Sequence, residues 1–234
     1  MAGSQNKRIF AARDPMIHYS PHEDRLNAWS HAIGILLAVM AGGYLLLRCL
    51  RAEDSWAVTG MVLYLFGLTA CYVTSTVYHS FPSGHSTRET LRRWDHAAIY
   101  WHIAGSYSPI TLVALRTASM WGWGLLAFVW TAAIIGTITS FRHLREHSHV
   151  ETTCFVLMGL SGLVAFRTLM HCLPPAATVW LIAEGVAYVT GAVIYARSPG
   201  RKYVHTLFHL FVLLGTICHL MCLYYMFDMY LPNT

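Results

Sequence analysis

The sequence predicts an all-α membrane protein: a bundle of seven transmembrane helices with a cytoplasmic N-terminus and an external C-terminus. Two observations lead to this prediction. Of the 234 residues, 56% are hydrophobic and only 12% are charged, whereas soluble domains carry about 25% charged residues. The charged residues also fall in short clusters, and the apolar stretches between them reach roughly 20 residues, which is the length that a helix needs to cross a bilayer.

The first three helices follow from where the charges stop. The 22 uncharged residues between Arg25 and Arg48 predict helix 1 over 27–47. The apolar stretch 56–81 predicts helix 2, which ends at the breaker that begins with Pro82. No residue is charged over 96–115, which predicts helix 3. Continuous apolar stretches of this length indicate helices, because the strands of a membrane barrel would alternate between apolar and polar residues.

The remaining four helices are bounded by breakers and charges. They are predicted over 120–141, 152–170, 177–196 and 204–227. Pro174 and Pro175 separate helices 5 and 6, because proline cannot continue a helix. Helix 5 contains Arg167, so a six-span arrangement with helix 5 lying in the membrane interface stays open as the alternative.

The basic residues set the predicted orientation. Lys and Arg accumulate in the cytoplasmic loops of membrane proteins. Alternate connections, counted from the N-terminus, hold twelve of these residues on one side and three on the other: Lys7, Arg8, Arg13, Arg25, Arg88, Arg92, Arg93, Arg142, Arg145, Arg197, Arg201 and Lys202 against Arg48, Arg51 and Arg116. We therefore expect a cytoplasmic N-terminal segment at 1–25, a seven-transmembrane domain at 26–228 and a short external tail at 229–234.

Ionisable side chains inside the predicted helices gather at one depth. His31, His79, Asp95, His205 and His209 all lie near the predicted cytoplasmic ends of their helices. Ionisable residues within a membrane are expensive and usually functional. His205 and His209 are four residues apart and share a helix face, as do Ser75 and His79.

Two imidazoles on one helix face suit a metal ion, and Zn²⁺ takes three protein ligands and a water in catalytic sites. We predict His79, His205 and His209 as those ligands, Asp95 as the residue that orients a ligand or the water, and Ser75 as its support. The simpler interpretation is that such histidines cap helices or bind lipid headgroups. Arg167 and Glu184 predict a separate ion pair between helices 5 and 6, and His219 a hydrogen bond within the bundle.

Several stretches resemble hemolysin III proteins, within the progestin and adipoQ receptor superfamily. They are NAWSHAIG at 27–34, STVYHSF at 75–81, RWDHAAIYWHIAGSYSP at 93–109, EGVAYVTGAVIY at 184–195 and HTLFHLFVLLGTICH at 205–219. The resemblance implies seven transmembrane helices and a zinc ion on His79, His205 and His209, with Ser75 and Asp95 at accompanying polar positions. One departure is Asp24, which stands where the family often has Glu.

Three functions stay open on the sequence. The resemblance to adipokine-receptor-like members implies a zinc-dependent hydrolase of lipid amide or ester bonds. The alternative is a receptor, cytolysin-like or membrane-homeostasis protein with structural zinc, for which Asp95 or His31 would supply a fourth ligand. In the third possibility there is no metal site, and the polar residues only bind each other within the helical bundle. Membrane lipids are the expected partners, with no nucleic acid, and the plasma membrane is the expected location; oligomeric state, substrate and any cytolytic activity stay open.

Overall fold

We describe the protein from a computed structural model that covers residues 19–118, 120–143, 149–198 and 200–231. Most of the predicted N-terminal segment and the end of the predicted tail lie outside these residues. Within them the regular structure is helical and forms seven helices. Their bounds are α1 Pro21–Arg51, α2 Ser55–Ser80, α3 Arg88–Pro109 continuing as a π-helical turn Ile110–Leu115, α4 Trp121–His143, α5 Val150–Cys172, α6 Pro175–Arg197 and α7 Val204–Tyr230.

Six of these seven helices are long and apolar enough to cross a membrane, and the exception in the described part of the chain is α3. The prediction of seven helices is therefore confirmed, and the chain is a multi-pass membrane protein; seven crossings stay a prediction. Helix α5, which the alternative arrangement placed in the interface, is one of the six. The polar helix α3 packs between α2, α4 and α5 and buries Asp95 and His102, so little apolar surface is required of it.

Two helices begin earlier than predicted, because charged residues form the first turns of both. Helix α1 begins at Pro21 rather than 27, where Ser20 and Glu23 form a reciprocal capping box. Helix α3 begins at Arg88 rather than 96. Apolar length alone detects the part of a helix that faces lipid, and it misses turns that extend beyond the apolar stretch.

Glycines let α2 and α3 pack with their backbones in contact. A Cβ atom added at Gly67 would overlap the carbonyl group of Trp101, and one at Gly60 would lie 2.8 Å from the Cα of Pro109. In membranes, where lipid is as apolar as the helix surface, such close van der Waals contact is a main source of helix association. The α2–α3 pair therefore forms a tight unit that holds His79 and Asp95 in the same part of the bundle.

The middle of α5 is irregular. It is α-helical up to Gly159 and again over Phe166–Cys172, and a 3-10 segment, Leu160–Ala165, joins the two parts. In an apolar 18-residue stretch of α5 only 17% of the residues are buried, whereas 50% are buried in the corresponding stretch of α7. Helix α5 therefore lies at the edge of the bundle and contributes little to the core.

Candidate metal centre

Three histidines from two helices converge at one end of the bundle. His79 is in the last turn of α2, and His205 and His209 occupy the first two turns of α7. One nitrogen of each ring lies within 4.8 Å of the others. The Nε2 atoms of His79 and His205 are 3.1 Å apart. The structure thus brings together the three residues that the sequence predicts as ligands.

The outer nitrogen of His79 is held by a carboxylate. Its Nδ1 lies 2.9 Å from Oδ1 of Asp24 on α1. Arg88 of α3 donates to both oxygens of that carboxylate, at 2.8 and 2.9 Å. Because Asp24 accepts the Nδ1 proton, the Nε2 lone pair of His79 faces the other two histidines. A carboxylate in this position fixes the tautomer of a ligating histidine and makes it more basic.

His209 is oriented in the same way by α1. Its Nδ1 lies 3.2 Å from the backbone carbonyl of Asn27 and 3.1 Å from Oγ of Ser30. The carbonyl can only accept, so Nδ1 carries the proton and Nε2 is left as the lone-pair nitrogen. His31 stacks on the His209 ring with the centroids 3.7 Å apart. His31 is not among the converging ligand atoms of the described residues.

The three nitrogens fit a metal ion. Two nitrogens bound to one tetrahedral Zn²⁺ at about 2.0–2.1 Å are about 3.3 Å apart, close to the separation of the His79 and His205 atoms. Without a metal, the Nε2–H of His205 can donate to Nε2 of His79 at this distance. The set is three imidazole nitrogens with ordered outer hydrogen bonds on two of the rings, which suits zinc and other imidazole-binding transition metals.

Asp95 and Ser75 lie on the wall of a cavity that reaches this cluster. The cavity has a volume of about 780 Å³ and is also lined by His205 and His209. Asp95 is 8% exposed, and the hydroxyl of the buried Ser75 lies beside its carboxylate. These positions are compatible with the roles predicted for the two residues, which stay predictions.

Tyr19 closes the cavity beside the histidines. Its ring stacks on His205 with centroids 5.0 Å apart and lies 5.6 Å from the His79 ring. Burial raises the pKa of its phenol well above the usual value, and the nearby Tyr195 acts in the same direction. The hydroxyl therefore keeps its proton at neutral pH and can act as a donor.

The predicted pairing of Arg167 with Glu184 is wrong. Glu184 instead accepts from Nδ1 of His219 at 2.8 Å, and both side chains are buried. Arg167 is exposed at the bundle surface. The predicted hydrogen bond of His219 within the bundle is confirmed. The sequence gives the depth of a residue along its helix but not which neighbouring helix its side chain faces.

Sequence reasoning missed the supporting residues of the cluster. From the sequence, Arg88 is one of the basic residues that indicate the orientation, and Asn27 and Ser30 belong to a stretch that resembles the family. One signal was present: Asp24, Asn27 and Ser30 recur every three residues, so they share a face of α1. Asp24 was noted as a departure, and its partner could not be assigned without the fold.

The fold and the site together define a multi-pass helical membrane protein with a three-histidine cluster at one end of the bundle. The sequence profile described as "Haemolysin-III related" matches residues 19–220, and the chain belongs to this family.

Among its relatives, Hemolysin-3 of Bacillus cereus is 33% identical over 86% of this chain and 90% of its own length. Monocyte to macrophage differentiation factor of Homo sapiens is 28% identical over 86% of this chain and 84% of its own. The ADIPOR-like receptor IZH2 of Saccharomyces cerevisiae is 27% identical over 85% and 70%. The resemblance to the wider superfamily is thereby confirmed.

Proposed function

We propose that this protein is a zinc-dependent hydrolase of lipid amide or ester bonds that resides in the plasma membrane. The observation that carries the proposal is the convergence of His79, His205 and His209 at a cavity whose wall also bears Asp95. Zn²⁺ bound by these three nitrogens would lower the pKa of a bound water toward 7 and polarise a carbonyl oxygen.

The protein's own residues would supply the other elements of the reaction. Asp95 is the candidate general base, since its carboxylate faces the cavity and can accept a proton from the attacking water. The Ser75 hydroxyl can donate to the adjacent Asp95 carboxylate or to the substrate carbonyl. Asp24 and Arg88 would keep the His79 ring oriented with Nε2 toward the cluster, because the carboxylate accepts the Nδ1 proton.

The shape of the cavity supports a lipid as the substrate. Its wall includes Leu160 and Leu163 of α5 and Ile182 and Val186 of α6, and these four side chains are also 37–62% exposed at the surface of the bundle. The cavity therefore reaches the lipid-facing surface between α5 and α6. An acyl chain would pass sideways from the bilayer to the histidine cluster without crossing water.

Access of this kind requires that the helices lie across the bilayer as predicted. We propose that all seven helices cross, with α3 enclosed by its neighbours, and that the N-terminus is cytoplasmic, as the twelve-to-three distribution of basic residues supports. The histidine cluster then lies near the cytoplasmic face. Reporter fusions to each terminus test this: a periplasm-type or external reporter should be active only at the C-terminus.

The competing function is a non-enzymatic receptor or membrane regulator with structural zinc. A structural zinc site is normally closed by four protein ligands. Among the described residues, Asp95 and His31 are not part of the converging group, and this favours an open fourth position.

The test is elemental analysis of purified wild-type protein beside His79→Ala, followed by a screen for hydrolysis of lipid amides and esters. We expect one zinc per wild-type chain, loss of zinc in the variant, and hydrolysis of at least one lipid class that disappears in Asp95→Asn while zinc is retained. Wild-type protein without stoichiometric zinc would refute the metal site. Stoichiometric zinc without hydrolysis of any lipid would favour the structural role.

A further inference from the structure

A second polar group lies deep in the same cavity and has no part in the proposed reaction. It contains Glu184 of α6, His219 of α7 and His102 of α3, all of which line the cavity. His219 is ten residues beyond His209 on α7, so it lies about 15 Å further along the helix axis. Around it the cavity wall is mainly apolar.

Glu184 fixes the tautomer of His219. Oε2 of Glu184 lies 2.8 Å from Nδ1 of His219, and the two residues are 7% and 1% exposed, respectively. A carboxylate at Nδ1 holds that proton in place, as it does for the metal-facing His79. The Nε2 atom of His219 is consequently the nitrogen that is left for another partner.

That nitrogen and its neighbours lack partners within the protein. In the part of the chain that the structure describes, Nε2 of His219, Nε2 of His102 and the hydroxyl of Tyr64 are buried and make no hydrogen bond. The Tyr64 ring lies 4.7 Å from that of His219 and 6.5 Å from that of His102. A buried polar atom without a partner costs about 1–3 kcal/mol, so a polar group that enters from the cavity and binds among these three atoms would be stabilised.

We propose that the Glu184–His219 pair is a second binding site in the cavity, and that it binds the hydroxyl group of a hydroxylated acyl chain whose polar head lies at the histidine cluster. A hydroxyl both donates and accepts, and can therefore bind Nε2 of His219 while it accepts from Tyr64 or His102. An unsubstituted acyl chain fills the apolar cavity equally well but leaves these atoms without partners. The second site therefore selects among lipids by a group in the middle of the chain.

This inference extends the proposed function by naming a ligand class, and its test measures binding without catalysis. Ricinoleate and oleate form a matched pair, because they differ only by a hydroxyl in the middle of the chain. Their affinities are measured by displacement of a fluorescent fatty acid from the purified full-length protein in lipid nanodiscs. We expect wild-type protein to bind ricinoleate about tenfold more tightly than oleate, the effect of one hydrogen bond to a charge-assisted partner.

Variants test whether the preference for ricinoleate over oleate depends on His219. His219→Phe keeps the ring and removes the nitrogens, and we expect the two fatty acids to bind it with equal affinity. The double variant Glu184→Gln with His219→Phe serves if the unpaired carboxylate prevents folding. His171→Phe, at an exposed histidine of α5, should keep the tenfold preference.

Two results overturn the proposal. One is that wild-type protein binds the two fatty acids with equal affinity or binds neither. Either outcome would mean that ordered water occupies the site. The other is a preference that persists in the His219 variants. Measurement after zinc removal separates this inference from the proposed function: the preference for ricinoleate should remain in zinc-free protein, even if no hydrolytic activity is ever found.

Discussion

The contact between Asp24 and His79 gives the sharpest test of the metal centre. The substitution Asp24→Asn keeps the size of the side chain and removes its charge. Wild-type Asp24 accepts one hydrogen bond from His79 and two from Arg88, all at 2.8–2.9 Å. The amide retains one acceptor oxygen, so at most part of this network survives. Its NH₂ group can donate to Nδ1 of His79, and this favours the tautomer whose Nε2 carries the proton and cannot bind a metal.

Two magnitudes follow. Loss of an outer partner of a ligating histidine typically lowers metal affinity 10–100-fold, which is about 1.4–2.8 kcal/mol. Arg88 is only 3% exposed, and removal of one partner of a buried ion pair costs about 3–5 kcal/mol of stability. Arg88 keeps its hydrogen bond to the carbonyl of Phe81, so we expect a loss of about 3 kcal/mol, at the lower end of that range.

The assay is zinc titration against a chelator of known affinity, with thermal unfolding of the zinc-free protein measured in parallel. Glu23→Gln is the matched control, since it makes the same chemical change one residue away. Glu23 binds Ser20 and the Tyr203 amide instead of a metal ligand, and glutamine also completes a capping box. Zinc affinity of Asp24→Asn within twofold of wild type, or an equal loss in both variants, would refute the reasoning.

Three further substitutions, two of them paired with a control variant, test the rest of the description. His209→Ala should reduce the zinc content measured by elemental analysis to less than one-tenth of that of wild type (~1.4 kcal/mol or more of lost binding), and undiminished zinc would exclude it as a ligand. Gly67→Ala forces a methyl group against the carbonyl of Trp101 and should lower stability by about 1–3 kcal/mol; Gly124→Ala meets open space and should leave the melting temperature equal or higher. Asp54→Ala removes the two hydrogen bonds that cap α2 and should cost about 1 kcal/mol, which Asp54→Ser should largely restore.

The helices were predictable because their lipid-facing surfaces leave a direct trace in the sequence. Apolar length located six of them and the absence of charge located α3, and the starts predicted furthest too late are those of α1 and α3, where charged residues continue the helix. Helix α3 also shows the limit of this signal. Its polar surface is enclosed by protein, so it is predicted from the absence of charge over 96–115 rather than from apolar character.

The three histidines were predictable because depth alone places them together, and the rest of the site was not. His79, His205 and His209 share one depth, and the spacing of the latter two places them on one face. The assignment of a partner to Glu184 required the rotation of α6, and depth alone favoured Arg167 over His219. The contact of Asp24 with Arg88 joins residues 64 positions apart, which no local pattern encodes.

The weak burial of α5 has a consequence for the proposed entry of lipids from the bilayer. The histidines and their supporting residues lie on α1, α2, α3 and α7, so displacement of α5 would leave them in place. Opening free energies within one protein range from near zero for weakly packed segments to the global value for the core. If lipids enter between α5 and α6 as proposed, their rate of entry and exit should be set by α5 and its 3-10 segment, Leu160–Ala165, and by the thickness and fluidity of the surrounding lipid, whereas retention of the proposed metal should be set by the core.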